Sequence, residues 1–389
     1  MNSPDTLERV LVENGAARLA TRLAFLVAGF GVSCWAPLVP FAKDRLAIDE
    51  QMLGMLLLCL GIGSVIAMLF TGILSTRFGT RPVILVSGIA LALLLPTLVV
   101  SSSVLTMATS LFFFGAALGA LEVAMNVHAV EVERDARRPL MSGFHALYSV
   151  GGFAGATFIT TLLSLELGTL VAVLIAAGLM LLAIFLAWPR LLRTRPPEDG
   201  PHFGVPRGVV TVIAALAAIM FLAEGALLDW GALLITGRKL MDLEHGGTGY
   251  MMFAIAMTAG RFSGDALIAR IGDRSALQWG GVVAIAGFVV LLLAPIAALA
   301  LVGFVLIGLG AANIVPVLFR RAGSQTVMPA GLAVAIMSTT GYAGILLGPA
   351  LIGFVAKQVG LTNAFWMLPV MVCLVPLSAR IVTERGAGR

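Results

Sequence analysis

Long apolar runs recur along the whole chain, and they limit its fold more than any other feature of the sequence. A helix needs about 20 apolar residues to cross a bilayer core, and only helices or closed barrels satisfy every backbone polar group in lipid. Charged residues make up 12% of the chain, against about a quarter in soluble domains. The runs predict an all-α membrane protein with twelve transmembrane helices, near residues 20–42, 52–74, 82–100, 106–130, 140–163, 169–188, 208–232, 248–268, 276–294, 297–319, 330–355 and 362–382.

The connection at residues 189–207 is rich in proline and charge, so it cannot span the membrane, and it separates six runs from six. One shift of 193 residues aligns residues of the first half with identical residues of the second: Arg77 with Arg270, Gly79 with Gly272, Arg81 with Arg274, Gly115 with Gly308 and Gly151 with Gly344. A single ungapped register indicates parallel structural repeats. We therefore expect two six-helix bundles, residues 1–188 and 208–389, related by a pseudo-twofold axis and joined by a cytosolic linker.

Basic residues are distributed unequally between the two sides that these spans define. Of the 25 lysines and arginines, all but five fall on the termini and the even-numbered connections. The five on the opposite side are Lys43, Arg45, Arg238, Lys239 and Lys357. Because cytosolic loops carry the excess of basic residues, both termini should be cytosolic. We expect a multi-pass protein of a bacterial inner membrane.

The fourth run contains an acidic and an amide side chain within its apolar part, at Glu122 and Asn126. An acidic residue near the bilayer centre costs about 2.5–3.5 kcal/mol on insertion scales, so it normally faces protein or an aqueous cavity. At about 100° per residue, Gly115, Gly119, Glu122 and Asn126 share one side of the helix, and small residues there allow close helix contact. Glu122 is a candidate for solute binding or proton coupling, or it pairs with a neighbouring helix.

Polar side chains are concentrated in six of the spans, whereas spans 3, 6, 9 and 12 are almost featureless and suit contact with lipid. The polar spans should line a central cavity. Depth counting places Tyr148 near Glu122 and His145 near Asn126, where the four could relay a proton or bind a hydroxyl-rich solute. The candidate binding and coupling residues are Trp35, Glu122, Asn126, His145, Tyr148, Glu224, Asn313 and Tyr342. The coupled proton could reside on Glu122, His145 or Glu224, and the tryptophans could instead anchor the protein at the membrane interface.

Twelve spans in two halves with a central cytosolic linker resemble the major facilitator superfamily over the whole chain. The segment from Gly72 to Arg81, GILSTRFGTR, is similar to its loop signature G-x-L-x-D-R-x-G-R/K-R/K, with Thr76 in place of the acid. In the family that acid helps to close the cytosolic side. The resemblance implies a gate at Arg77, Gly79 and Arg81, with Arg270 and Arg274 at the repeated position. Because Thr76 replaces the acid, we expect Glu131 and Glu133, at the cytosolic end of span 4, to be the acids that meet this gate. Alternatively, these charges form a solvated loop edge. Arg261 and Asp265 are four residues apart on span 8, a spacing that predicts either a structural pair or an inner gate.

The segment from Gly119 to Asn126, GALEVAMN, is similar to the span-4 pattern G-x-x-E-x-x-x-N of the fucose-permease branch. In those sugar:proton symporters the glutamate takes part in binding and coupling, which the resemblance implies for Glu122. That branch also uses an aspartate in span 1, and span 1 of this chain contains no acid.

These features favour a secondary transporter that moves a small polar, sugar-like solute with protons by alternating access. A proton-coupled exporter is the alternative, and a sensor built on a transporter fold is a third possibility. The sequence contains no nucleophile elbow, P-loop or zinc-protease motif, so we expect no enzyme activity, no cofactor and no metal site. The expected partners are the solute, protons and lipid, without nucleic acid, and the expected state is a monomer.

Overall fold

The computed structural model describes residues 4–193, 205–242 and 245–384, and within them it is helical without strands. Of the expected linker, residues 194–204 lie outside the described part. The helices are α1 (Pro4–Trp35), α2 (Val39–Leu46), α3 (Glu50–Phe78), α4 (Thr80–Val100), α5 (Val104–Ala136), α6 (Met141–Ser164), α7 (Thr169–Ala187), α8 (Val209–Gly237), α9 (Thr248–Leu293), α10 (Ala297–Ala311), α11 (Ile314–Ser324), α12 (Ala330–Val359), α13 (Leu361–Phe365), α14 (Met367–Val372) and α15 (Leu374–Thr383).

Eleven helical segments of the described chain are long and apolar enough to cross a membrane. One of them, Thr248–Leu293, is 46 residues long and covers two of the predicted spans. A straight helix of that length would measure about 69 Å at 1.5 Å per residue, more than twice the roughly 30 Å of a bilayer core. The backbone of Gly272 is not helical, with φ 78° and ψ 162°, so the segment bends between the two predicted spans. The count of twelve crossings stays a prediction.

The chain divides into two compact units. The first contains residues 1–137 and 147–203, and the second contains residues 138–146 and 204–389. Helix α6 therefore begins in the second unit and continues in the first. The bundle boundaries and the pseudo-twofold axis expected from the sequence stay predictions.

The turn between α3 and α4 recurs inside α9 with nearly the same backbone angles. Gly79 has φ 83° and ψ 162°, and Gly272, 193 residues later, has φ 78° and ψ 162°. Residues with a side chain rarely adopt a positive φ, whereas glycine adopts it readily. The aligned R-x-G-x-R patterns thus mark the same structural feature, a sharp change of direction between consecutive helical segments.

A second repeated feature is an arginine that binds two carbonyl groups at the end of a helix. Arg45 donates from Nε to the carbonyl of Ser101 at 3.0 Å and from its terminal nitrogen to Leu98 at 2.7 Å. Arg238 donates to the carbonyls of Leu291 and Ala294, each at 2.7 Å. All three positions in each set differ by 193 residues. Because the last carbonyls of a helix lack helical partners, both arginines satisfy the same requirement in their own units.

Close helix contact is also repeated. A Cβ atom at Gly115 on α5 would lie 2.0 Å from the carbonyl oxygen of Leu60 on α3. A Cβ atom at Gly308 on α10 would lie 2.4 Å from the carbonyl oxygen of Phe253 on α9. The prediction that the glycine side of the fourth span touches another helix is confirmed, and only glycine allows this backbone approach.

Candidate functional site

The carboxyl group of Glu122 lies in the first unit, on the buried part of α5. The hydroxyl group of Tyr148 on α6 donates a hydrogen bond to its Oε1 atom at 2.9 Å. The proximity of these two side chains, expected from their depth along antiparallel spans, is confirmed. A buried carboxyl group that keeps a hydroxyl donor can accept the bond in either protonation state, so the pair suits a group that binds and releases a proton.

Asn126 lies one turn after Glu122 and is 3% exposed. Its Nδ2 atom donates to the backbone carbonyl of Glu122 at 2.8 Å. Its Oδ1 atom is buried and has no hydrogen-bond partner among the described residues. Because buried polar atoms are nearly always paired in native proteins, this acceptor is available to a water molecule or a polar solute.

The first turn of α6 is held by α9 within the second unit. The backbone amides of Ser142 and Gly143 donate to the two carboxylate oxygens of Asp265, at 3.0 and 2.9 Å. The first amides of a helix lack helical acceptors, and a carboxylate there is further favoured by the helix dipole. On the next turn, His145 is buried and stacks on Phe319 of α11, with ring centroids 5.3 Å apart. Asp265 thus has a defined role in addition to any contact with Arg261.

A narrow cavity lies inside the second unit. It is bounded by α8, α9, α10 and α11, and it has room for about one water-sized group. Ten of its twelve lining residues are apolar, and the other two are Glu224 on α8 and Arg261 on α9. Arg261 is only 8% exposed. The cavity therefore places one acid and one permanent cation against apolar walls.

A break between α10 and α11 helps to hold Arg261. Proline cannot accommodate a helical carbonyl four residues before it, and Pro316 stands four residues after Ala312. The freed carbonyl of Ala312 accepts a hydrogen bond from Arg261 Nε at 3.4 Å. Asn313, at the break, donates from Nδ2 to the carbonyl of Gly260 at 3.2 Å, while its buried Oδ1 atom has no partner among the described residues.

The aromatic candidates occupy different environments. Trp35 is 5% exposed, and Trp230 packs against Gly353 of α12. The indole Nε1 atoms of both are buried and have no hydrogen-bond partner in the described part of the chain. Tyr342 lies on α12 and is partly exposed. Each unit thus has one buried indole N–H group without a partner among the described residues.

The expected pairing of Arg77 and Arg81 with two glutamates is not what the structure shows. The Arg77 guanidinium lies over the ring of Phe78, and that of Arg81 lies over the ring of Trp188, each 5.3 Å from the ring centroid. Glu131 and Glu133 are 8% and 6% exposed. Both guanidinium groups therefore gain cation–π attraction from an aromatic face. Arg270 and Arg274, at the repeated positions, are exposed.

The corresponding turn of the second unit contains an ion pair that the sequence analysis missed. Asp273, directly after Gly272, binds both Arg320 and Arg321 of α11, and Nε of Arg321 lies 2.8 Å from Oδ2. The side chains of Asp273 and Arg320 are 11% and 14% exposed. The signal that could have indicated this pair is an acid immediately after the glycine of the second R-x-G-x-R pattern.

His128 is another residue whose role the sequence did not indicate. It is fully buried in the first unit. Its Nε2 atom accepts the backbone N–H of Leu192 at 3.0 Å, and its Nδ1 atom lies 3.1 Å from the hydroxyl of Thr21. Since a backbone amide can only donate, Nε2 carries a lone pair and the proton of the neutral ring resides on Nδ1. His128 therefore fastens α5 to α1 and to the segment after α7.

Comparison with known proteins gives a consistent result. The family model of the Major Facilitator Superfamily matches residues 22–326. An uncharacterized MFS-type transporter of Yersinia pestis is 47% identical over 368 residues, covering 94% of this chain and 96% of the relative. The fold matches the fucose:proton symporter FucP of E. coli in its outward conformation, with TM-score 0.77, 16% identity and coverage of 94% and 98%. It also matches the human organic anion transporter MFSD10, with TM-score 0.75, 16% identity and coverage of 94% and 99%. The chain belongs to the Major Facilitator Superfamily and is a multi-pass membrane transporter.

Proposed function

We propose that this protein is a secondary active transporter that moves a small polar solute together with protons by alternating access. The observation that carries the proposal is the hydrogen bond of Tyr148 to Glu122. A carboxyl group in a membrane-spanning helix is costly and usually marks a solute or proton pathway. Glu122 in the first unit and Glu224 in the second are the two candidate proton carriers, and the proposal does not depend on which of them acts.

Unpaired polar atoms support a polar solute over an apolar one. Each unit contributes a buried indole N–H and a buried amide oxygen without a partner among the described residues: Trp35 and Asn126 in the first, Trp230 and Asn313 in the second. A hydroxyl-rich solute offers donors and acceptors to such atoms, whereas an apolar drug would leave them unsatisfied at about 1–3 kcal/mol each. Sugar-like metabolites are therefore the favoured class.

The experiment is a flux assay on the purified protein in proteoliposomes. Radiolabelled sugars, polyols and sugar acids are tested one at a time, with an inward proton gradient and with none. We expect accumulation of at least one polar solute that depends on the gradient and that collapses when an ionophore removes it. Accumulation that is the same with and without the gradient would contradict proton coupling, and no flux of any solute would contradict the transport proposal.

We also propose that both termini and the 189–207 linker face the cytosol, on the strength of the basic-residue bias. Single cysteines at residue 2 and at residue 200 should be protected from an impermeant thiol reagent added to intact cells, in a background where Cys34, Cys59 and Cys373 are replaced by serine. A cysteine at the exposed residue Lys239 serves as the control that should react. Labelling of residue 2 in intact cells would reverse the orientation.

A further inference from the structure

The turn between α3 and α4 brings two arginines of the first unit together. Arg81, in the first turn of α4, lies over the ring of Trp188, with its guanidinium carbon 5.3 Å from the ring centroid. Arg193, five residues after Trp188, is close enough to Arg81 for their positive charges to repel each other. The backbone N–H of Leu192 donates to Nε2 of the buried His128 at 3.0 Å. The fold therefore holds Arg193 near Arg81 although the two charges are alike.

No acid of the described residues compensates this pair. Neither Arg81 nor Arg193 forms an ion pair with an acid in the described part of the chain. The Nε atom of Arg81 is buried and has no hydrogen-bond partner there. A guanidinium group carries five N–H donors in its plane, and the face of an aromatic ring attracts the charge without accepting those donors in the plane. The pair can therefore take an anion that also accepts hydrogen bonds.

The equivalent turn of the second unit has its own anion. Asp273 binds Arg320 and Arg321. The residue 193 positions before Asp273 is Thr80, which is fully buried and uncharged. Thr76, on the other side of the first turn, is uncharged as well. The first unit thus keeps the arginines of such a turn but lacks the acid, so an external anion would fill the role that Asp273 has in the second unit.

The location of the pair indicates which anion is available. Trp188 directly follows α7 and is exposed, and α7 ends with the exposed apolar residues Phe185 and Leu186. Tryptophan is enriched at the boundary between lipid and water, and basic pockets between spanning helices on the cytosolic side bind anionic headgroups. Arg81 lies at the start of α4, where unpaired amides and the helix dipole favour a phosphate group. The pair therefore faces the headgroups on the predicted cytosolic side.

We propose that Arg81 and Arg193 bind the phosphate group of an anionic phospholipid, whose acyl chains lie against the exposed apolar end of α7. The phosphate supplies the negative charge and the hydrogen-bond acceptors that the pair lacks. The bound lipid joins α4 to the segment after α7 and so stabilises the turn of the first unit. This site is separate from Glu122 and Glu224, and it goes beyond the proposed transport function.

The test measures lipid binding to the purified full-length protein by native mass spectrometry, with phosphatidylglycerol and phosphatidylcholine as probes. Both lipids contain a phosphate group, but only phosphatidylglycerol has a net negative charge. We expect tighter binding of phosphatidylglycerol. Changing both Arg81 and Arg193 to glutamine should weaken its binding by about 30-fold, because each basic residue near an anionic surface contributes about fivefold.

Two pairs of variants control this experiment. Arg270→Gln with Arg274→Gln removes the same charge from exposed residues at the repeated turn and should bind phosphatidylglycerol like the wild type. Arg81→Lys with Arg193→Lys keeps the charge and should retain most of the affinity, which distinguishes loss of the site from loss of folding. Elution of each protein as a single size-exclusion peak establishes that it is folded.

Four outcomes would overturn the proposal. The first is equal binding of the two lipids, and the second is equal weakening in the Arg270 and Arg274 variant. The third is displacement of phosphatidylglycerol by millimolar inorganic phosphate, which would assign the site to free phosphate. The fourth concerns Glu198 and Asp199, the acids that follow Arg193 in the sequence. If only a protein with Glu198→Gln and Asp199→Asn retained phosphatidylglycerol, these acids would be the partners of the two arginines.

Discussion

The two units share a framework but differ in their ionisable groups. Arg45 and Arg238 bind helix-end carbonyls in the same register, and Gly79 and Gly272 make the same turn. The charged groups of the candidate sites do not repeat. Arg261 stands where the first unit has the fully buried Met68, and Glu122 of the first unit corresponds to Val315 in the second.

The difference separates what packing requires from what function requires. Each unit contains close helix contacts, a sharp turn between helices and helix ends whose carbonyl groups need partners. Glycines and arginines therefore recur at fixed positions. The ionisable groups of the two units differ: a carboxyl group bonded to a tyrosine lies in one unit, and a carboxyl group that shares a cavity with an arginine lies in the other. We therefore expect functional residues at positions where the repeat breaks down.

The largest expected effect comes from replacing the glycines at the close helix contacts, Gly115 and Gly308, with alanine. Gly115→Ala and Gly308→Ala place a Cβ atom 2.0 and 2.4 Å from a backbone oxygen, and overpacking costs about 1–3 kcal/mol even where neighbours can move. We expect both variants to lose most of the folded protein in size-exclusion chromatography. Gly178→Ala, where a Cβ atom would meet nothing within 4 Å, should fold normally. Normal folding of only one of the two contact variants would break the equivalence of the units.

The comparison of the two carboxyl groups predicts different transport defects. Tyr148 is a neutral donor that can stay bonded to Glu122 in either protonation state, whereas Glu224 shares its cavity with the permanent charge of Arg261. Glu224→Gln should abolish proton-driven accumulation, and Glu122→Gln should lower solute affinity by about tenfold, the value of one hydrogen bond near 1.4 kcal/mol, while accumulation remains.

Uptake assays with and without a proton gradient measure proton-driven accumulation and solute affinity. Tyr148→Phe is the matched control, because it removes the hydrogen bond to Glu122 and keeps the carboxyl group. The opposite ranking, with accumulation lost in Glu122→Gln and kept in Glu224→Gln, would assign the coupled proton to Glu122, one of the three candidates from the sequence.

The turns at Gly79 and Gly272 should differ in how far an acidic side chain stabilises them. In the second unit, Asp273→Asn removes an ion pair with Arg320 and Arg321, at a cost of about 1.5–3 kcal/mol because the bonded groups are charged and mostly buried. In the first unit, Arg77 and Arg81 rest on aromatic rings. We expect Asp273→Asn to lower the melting temperature, and we expect the exposed acid Asp242, changed to asparagine, to have no effect. An equal decrease in melting temperature in the Asp273 and Asp242 variants would contradict a specific stabilising role for Asp273.

The smallest expected effect concerns the repeated arginines. Arg45→Gln and Arg238→Gln each remove two hydrogen bonds to helix-end carbonyls. Each should cost about 1 kcal/mol, less than the roughly 1.5–3 kcal/mol of a hydrogen bond to a charged group, because these side chains are partly in water. Arg45 is the more exposed of the two, so its loss should lower the melting temperature slightly less. Lys357→Gln, an exposed basic residue on the same predicted side of the membrane, is the control; a similar loss there would show a general charge effect.

Much of this protein could be predicted from its sequence because a bilayer imposes strong periodic constraints. Apolar length located the spanning helices, the 193-residue register located equivalent turns, and helical geometry placed Glu122 beside Tyr148 and the glycines against a neighbouring helix. The family followed from the same patterns. Each of these inferences depends on the geometry of a single helix, on the opposite directions of consecutive spans, or on the constant 193-residue offset between the halves.

Tertiary structure alone decided which long side chains meet. The sequence cannot show that Arg81 turns to Trp188 or that His128 binds the backbone of Leu192, because these residues come from distant helices whose rotation depends on all their neighbours. It also does not show that Arg261 shares a cavity with Glu224 while Asp265 binds the start of α6. A long charged side chain can reach in several directions from one backbone position, and packing selects the direction.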